Sequence, residues 1–155
     1  MKKAVWILLV IFSGCTQKFD PVSEEKAIRE VLMAQQNAWN EGNIDAFMES
    51  YWKSDSLMFI GSAITQGWNA TIERYRKSYP DRETMGQLDF TFYDFKFIDD
   101  ESCLVTGKYH LKRTADDPTG MFTLLLKKLD GKWVIIYDHT SQMIPKDIQP
   151  GNQDQ

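Results

Sequence analysis

Histidine changes charge near neutral pH more readily than any other side chain, and this chain carries two, of which His139 is better placed to do chemistry. It stands in Asp138-His139-Thr140-Ser141, near the end of a strand-like run that starts at Lys132. An imidazole there could take or give a proton as a general base or acid. Strict alternation puts His139 on one face with Trp133, Ile135, Tyr137 and Ser141, toward the mouth of any cavity that Trp133 and Ile135 line. A structural histidine bonded to Asp138, Thr140 or a neighbouring strand fits the same position. His110 alternates with Lys108 and Lys112 and reads as part of a solvated or interface face.

Trp39, Tyr51, Trp68, Tyr75 and Tyr109 are candidates to line a ligand-binding cavity, each offering a broad apolar ring and a polar tip. Core packing alone predicts the same spacing. Arg113 follows Val105, Gly107, Tyr109 and Leu111 on one strand phase, where it could hold an anionic group at a rim or simply be solvated. The strand acids Asp89, Asp94, Asp99, Asp100, Asp116, Asp117 and Asp130 fall mostly at turns or on the polar phase, so no buried carboxylate is expected. Two histidines without a cysteine or acidic ligand motif imply no metal, and no glycine-rich loop opens a helix in phosphate-binding form, so no cofactor is implied. Cys103, between Ser102 and Leu104-Val105, reads as a small buried hydrophobe.

The chain opens with Lys2 and Lys3, an apolar run over 4–12, and then Ser13, Gly14 and Cys15. A basic start, an apolar stretch too short to span a bilayer and small residues before a cysteine predict an export signal over 1–14 and lipidation of Cys15. The expected product is an exported lipoprotein of the bacterial cell envelope, held to the membrane by its acyl anchor. Without the signal, 141 of the 155 residues remain, about one domain, and the net charge of −4 becomes −6 as Lys2 and Lys3 leave. Interspersed, mildly acidic charge disfavours nucleic-acid binding, which draws on clustered Lys and Arg. Residues 15–22 read as a tether and 144–155 as a polar tail, leaving a domain over 23–143.

Elements must hold these residues in place. Ile28, Val31, Leu32, Gln35 and Trp39 follow the rhythm of one helix face, with Ser23 as its cap and Gly42 as its stop. Asn43 caps a second helix carrying Ile44, Phe47, Met48 and Tyr51, and residues 57–60 form a short strand. A third helix follows Gly67, with Trp68, Ile72, Tyr75 and Tyr79 on one side, and ends before Pro80. The period then becomes two, and the apolar phase slips from Leu88, Phe90 and Phe92 to Phe95 and Phe97, which predicts a bulge near Tyr93 and Asp94. Strands follow over 103–113, 120–129 and 132–141, the last two joined by an Asp130-Gly131 hairpin turn. Helices first and long antiparallel strands after them give an α+β fold, a cone-shaped curved antiparallel sheet covered on one face by three N-terminal helices.

Trp39-Asn40-Glu41-Gly42-Asn43, Tyr51-Trp52, Gly67-Trp68 with Tyr75, and Gly131-Lys132-Trp133 leading to Asp138-His139-Thr140-Ser141 resemble the SnoaL-like family of the nuclear transport factor 2-like superfamily, the cone fold of ketosteroid isomerase. The resemblance implies a cavity between sheet and helices. It leaves function open, because the superfamily includes isomerases, dehydratases, ligand carriers and association domains. A ketosteroid isomerase set would need a buried carboxylate base facing a tyrosine and a second acid, which the residues do not supply at the sequence level. The leading expectation is a lipoprotein whose cone binds a small, partly apolar molecule. The alternatives are a small lyase or isomerase using His139, and a non-catalytic module that forms a homodimer through the open side of the sheet.

Overall fold

The computed structural model describes residues 18–143. The signal over 1–14, the lipidation site Cys15 and the tail over 144–155 lie outside them. Helix α1 spans Pro21–Asn40 and α2 Ile44–Met48. The short strands β1 (Met58–Ile60) and β2 (Ile64–Gln66) come next, then α3 (Trp68–Ser78) and the single turn α4 (Arg82–Met85). Four long strands complete the described chain: β3 (Gln87–Asp99), β4 (Ser102–Lys112), β5 (Thr119–Leu129) and β6 (Lys132–Gln142). One sheet runs in the order β2-β1-β6-β5-β4-β3, antiparallel except where β1 lies parallel to β6.

Helix α1 starts earlier than Ser23. Asp20 is the cap, its carboxylate accepting from the Val22 N–H, and Pro21 occupies the first turn, where its missing N–H costs nothing. The Pro21-Val22 end of the expected tether is therefore helix. Gly42, at φ 78°, ends this segment in the left-handed region, and the Asn43 side chain accepts from the Ala46 N–H to open α2. Asp130 and Gly131 both take positive φ in the β5–β6 hairpin, as such a turn requires.

The buried face of α1, with Ile28, Leu32 and Trp39, packs across the inner face of the sheet, where Val105, Leu124, Leu126 and Ile135 complete the core. At one edge, α1 takes the place of a seventh strand. Asn40 exchanges two hydrogen bonds with the Leu88 backbone, Nδ2 donating to its carbonyl at 2.9 Å and Oδ1 accepting from its N–H at 2.7 Å, while Gln36 Oε1 accepts from the Phe90 N–H. The spacings match, since four helical residues rise about 6 Å and two strand residues about 6.8 Å. The edge of β3 is thereby blunted where it enters the cone.

Three register shifts interrupt the ladders; one, between Phe97 and Asp99, lies at the far end of β3, and two set the facing of side chains in the cone. One of these two falls in β3 between Phe92 and Asp94, as the phase slip predicts, and throws Tyr93 out of the ladder. The other was not legible in the alternation: Leu125 pairs with Tyr137 but Leu126 with Ile135, so Ile136 is the extra residue of β6. Every side chain after Ile136 is reversed relative to strict alternation.

Candidate functional site

The reversal turns Asp138 inward and His139 outward. Asp138 is only 4% exposed, whereas His139 lies exposed on the outer face. This corrects two expectations, that His139 faces the cone and that no carboxylate is buried. Trp133 and Ile135 do face inward, but the extra residue separates them from His139 by an odd number of steps in the pleat.

Asp138 sits among hydroxyls. Its Oδ2 accepts from Tyr51 Oη at 2.7 Å and its Oδ1 from Thr140 Oγ1 at 2.8 Å. Tyr51 is delivered by backbone pairing: it bridges Ile135 in parallel, with Trp52 N–H donating to the Ile135 carbonyl and Ile135 N–H to that of Ser50. Burial penalises the charged carboxylate and pushes the Asp138 pKa up to about 6, against the opposing pull of the two hydroxyl donors. No cationic side chain hydrogen-bonds it among the described residues. Burial, and then the Asp138 charge, raise the Tyr51 and Tyr75 phenols well above their ordinary range, so both remain neutral donors.

These groups open into a cavity of about 180 Å³ between the helices and the inner face of the sheet. Trp39 and Phe47 form part of its helical wall, and Phe90, Phe92, Phe122 and Leu124 part of its sheet wall. Aromatic rings interlock around it: Trp39 meets Phe47 at 5.1 Å and Tyr79 at 4.7 Å, and Phe47 meets Tyr75 at 5.1 Å. Two glycines make room for sheet rings. A Cβ on Gly107 would collide with the Phe122 ring and the Thr91 carbonyl, and one on Gly120 with the Tyr109 ring and the Ser141 carbonyl.

Of the expected site residues, Trp39, Tyr51, Tyr75 and Tyr109 all line this cavity. The Trp39 indole is already used, donating to the Met85 carbonyl at 3.0 Å, so only its face meets the interior. Trp68 does not line it; its indole donates to the Met48 carbonyl and its ring lies under Lys53. Arg113 is occupied as well, forked onto Asp116 at 2.6 and 2.8 Å and bonded to the Thr84 carbonyl at 3.0 Å. His110 pairs with Asp117 at 2.8 Å, outside the cavity. Cys103 is fully buried, and its thiol is raised to about 11 by burial, as an inert core position requires. The residues that sequence reasoning missed are Asp138, Thr140, Gln35 and Arg74, all of which line the cavity.

A SnoaL-like domain model matches residues 28–145. The chain belongs to the SnoaL-like family. Among solved structures it is similar to an NTF-2 like protein of unknown function from Shewanella oneidensis MR-1, at 42% identity over 76% of this chain and 98% of that one, with a TM-score of 0.74. A ketosteroid isomerase-like protein from Erwinia carotovora atroseptica shares the fold at 18% identity and TM-score 0.65, over 79% and 98% of the two chains. An NTF2-like superfamily protein from Salmonella enterica does so at 14% and 0.66, over 86% and 100%. No curated protein matches the chain. The SnoaL-like domain thus has its curved six-stranded sheet with helices on one side, and its cavity carries the Tyr51–Asp138–Thr140 cluster.

Proposed function

We propose that the cone binds a small, largely apolar molecule and that Asp138 moves a proton on it. The observation that carries this reading is a carboxyl buried at a cavity wall with its pKa raised to about 6, where neither protonation state is far out of reach at neutral pH. The deprotonated carboxylate serves as base toward an acidic C–H, and Tyr75, held protonated, is the donor available to a developing oxyanion, while the one Tyr51 proton is given to Asp138. The acid/base role expected of His139 passes to the residue before it. Relative to a ketosteroid isomerase set, a buried carboxylate facing a tyrosine is present, but no second acid lines the cavity among the described residues. The reaction class supported is therefore proton abstraction next to a carbonyl, with isomerisation or elimination as its outcome.

A one-ring ketone tests this. In deuterated water the protein should accelerate exchange of the acetophenone methyl protons, followed by proton NMR, and Asp138→Asn should remove the acceleration while His139→Ala retains it. Equal exchange in wild type and Asp138→Asn would refute the role of Asp138.

A second reading concerns the outer face of the sheet, where Met121 and Tyr137 are 37% and 40% exposed and His139 is exposed too. We propose that two copies pair through this face, with the domain held at the cell envelope through lipid on Cys15. Light scattering of wild type and Tyr137→Glu tests the pairing: a dimer that becomes a monomer supports it, and a monomer in both rules it out.

A further inference from the structure

Two polar groups in the cavity are left unexplained by packing and by the Asp138 cluster, and both bear on the ligand. Gln35 is 2% exposed on the core face of α1, and its Nε2 has no hydrogen-bond partner among the described residues. An amide donor buried unpaired costs about 1–3 kcal/mol, a cost that ends when an acceptor oxygen enters the cavity it lines. Arg74 is the one cation lining that cavity among the described residues. Arg29, Arg76 and Arg113 each meet a carboxylate, but Arg74 has none within ion-pair distance among those residues. Neutral oxygens hold it instead: its Nη1 donates to the Ala63 carbonyl at 3.3 Å and to Thr65 Oγ1 at 3.1 Å, and its Nη2 to Ser62 Oγ at 3.3 Å. Its guanidinium carbon lies 5.1 Å from the centre of the Phe59 ring. These contacts fix the group and leave its charge uncompensated, and partial exposure places it toward the opening while Gln35 is fully enclosed.

We propose that the cavity selects small organic acids, with a one-ring body against the aromatic walls, a carboxylate on Arg74 and an acceptor oxygen on Gln35. This rests on the same cavity as the proton-transfer reading and deepens it by naming the ligand class. The volume sets the size: about 180 Å³ is slightly more than the roughly 150 Å³ of an apolar cavity that takes benzene, which leaves a carboxylate at the mouth rather than inside. Arg74 suits that role because a fixed planar guanidinium grips a carboxylate by two parallel hydrogen bonds.

The test titrates the protein with 4-acetylbenzoate and with its neutral counterpart 4-acetylbenzamide, reading backbone amide shifts by NMR. The acid should bind about tenfold more tightly than the amide, the difference expected from one charge-assisted contact. Arg74→Gln should bring the two affinities together, Arg74→Lys should keep part of the preference, and Gln35→Leu should weaken both ligands several-fold. Dispersed spectra of each variant confirm folding. Equal or tighter binding of the neutral amide, a preference that survives Arg74→Gln, undiminished binding in Gln35→Leu, or no shift at millimolar 4-acetylbenzoate would each overturn the proposal. Acetophenone exchange separates the two readings. Exchange without anion preference defeats only this inference, and anion preference without exchange defeats only proton transfer by Asp138.

Discussion

Replacing Asp138 by Asn removes one ionisation from the protein interior, and its effect on stability follows from linkage. The ordinary value for the carboxyl is 3.8 and the folded one about 6. Between those limits the folded chain holds a proton that the unfolded chain has released, so stability falls as pH rises through the window and does not fall further above it. Two units at about 1.4 kcal/mol each give a loss of about 3 kcal/mol between pH 4 and pH 7. Asp138 is fully enclosed and its partners are hydroxyls, not cations, so solvent screening does little to reduce this.

The Asp138→Asn variant has no such titration at this position. Any fixed penalty for turning the Tyr51 and Thr140 hydroxyls to suit an amide is the same at every pH, so the informative quantity is the change in the difference between variant and wild type. That difference should move by about 3 kcal/mol in favour of Asp138→Asn from pH 4 to pH 7. Urea unfolding followed by tryptophan fluorescence, with both proteins at matched pH values, reads it directly. A difference that stays constant across the range would mean that the carboxyl ionises as it does in water, and the argument for Asp138 as an acid/base group would fail with it.

Gly120→Ala should cost about 1–3 kcal/mol in thermal unfolding, because the added methyl meets the Ser141 carbonyl and the Tyr109 ring, and it should broaden or shift the Tyr109 ring signals. Glu24 holds Lys128 at 2.6 Å and the Trp133 indole at 2.7 Å, and the Lys128 contact is the main reason that its pKa is lowered. Its stabilisation is present above the ordinary carboxylate value and lost as pH falls through the lowered one; Glu24→Gln should cost about 1–2 kcal/mol at neutral pH and progressively less in acid. Cys15→Ser should abolish incorporation of labelled palmitate in bacterial cells, and equal labelling of both forms would exclude lipidation at this residue.

The elements were largely legible because their signals are local. Asn43, Gly42 and the Asp130-Gly131 pair fix caps and turns through backbone geometry that few other residues accept, and the β3 bulge showed because polar residues flank its aromatic ones. The short strand Ile64–Gln66 and the single turn Arg82–Met85 escaped, since three or four residues are too few to establish a period. The acid/base group was missed for one reason. Residues 133–137, Trp133-Val134-Ile135-Ile136-Tyr137, are apolar throughout, so either phase satisfies burial and the extra residue at Ile136 leaves no trace in the alternation. That single uncounted residue moved the expected acid/base role by one position, from an exposed imidazole to an enclosed carboxylate.

The same bulge explains how the cluster forms at all. Without it, β6 would turn Tyr137 and His139 inward beneath α2 and α3, and Asp138 and Thr140 would face solvent, leaving the Tyr51 hydroxyl without its acceptor. Parallel pairing of β1 beside β6 sets Phe59 opposite Asp138, and the ring of Phe59 in turn lies under Arg74. The enclosed carboxyl and the uncompensated guanidinium are therefore positioned by the same short strand, one through its backbone register and the other through a side chain. A change in that register, as by deleting Ile136, should disturb proton transfer and anion preference together, whereas Asp138→Asn and Arg74→Gln each remove one.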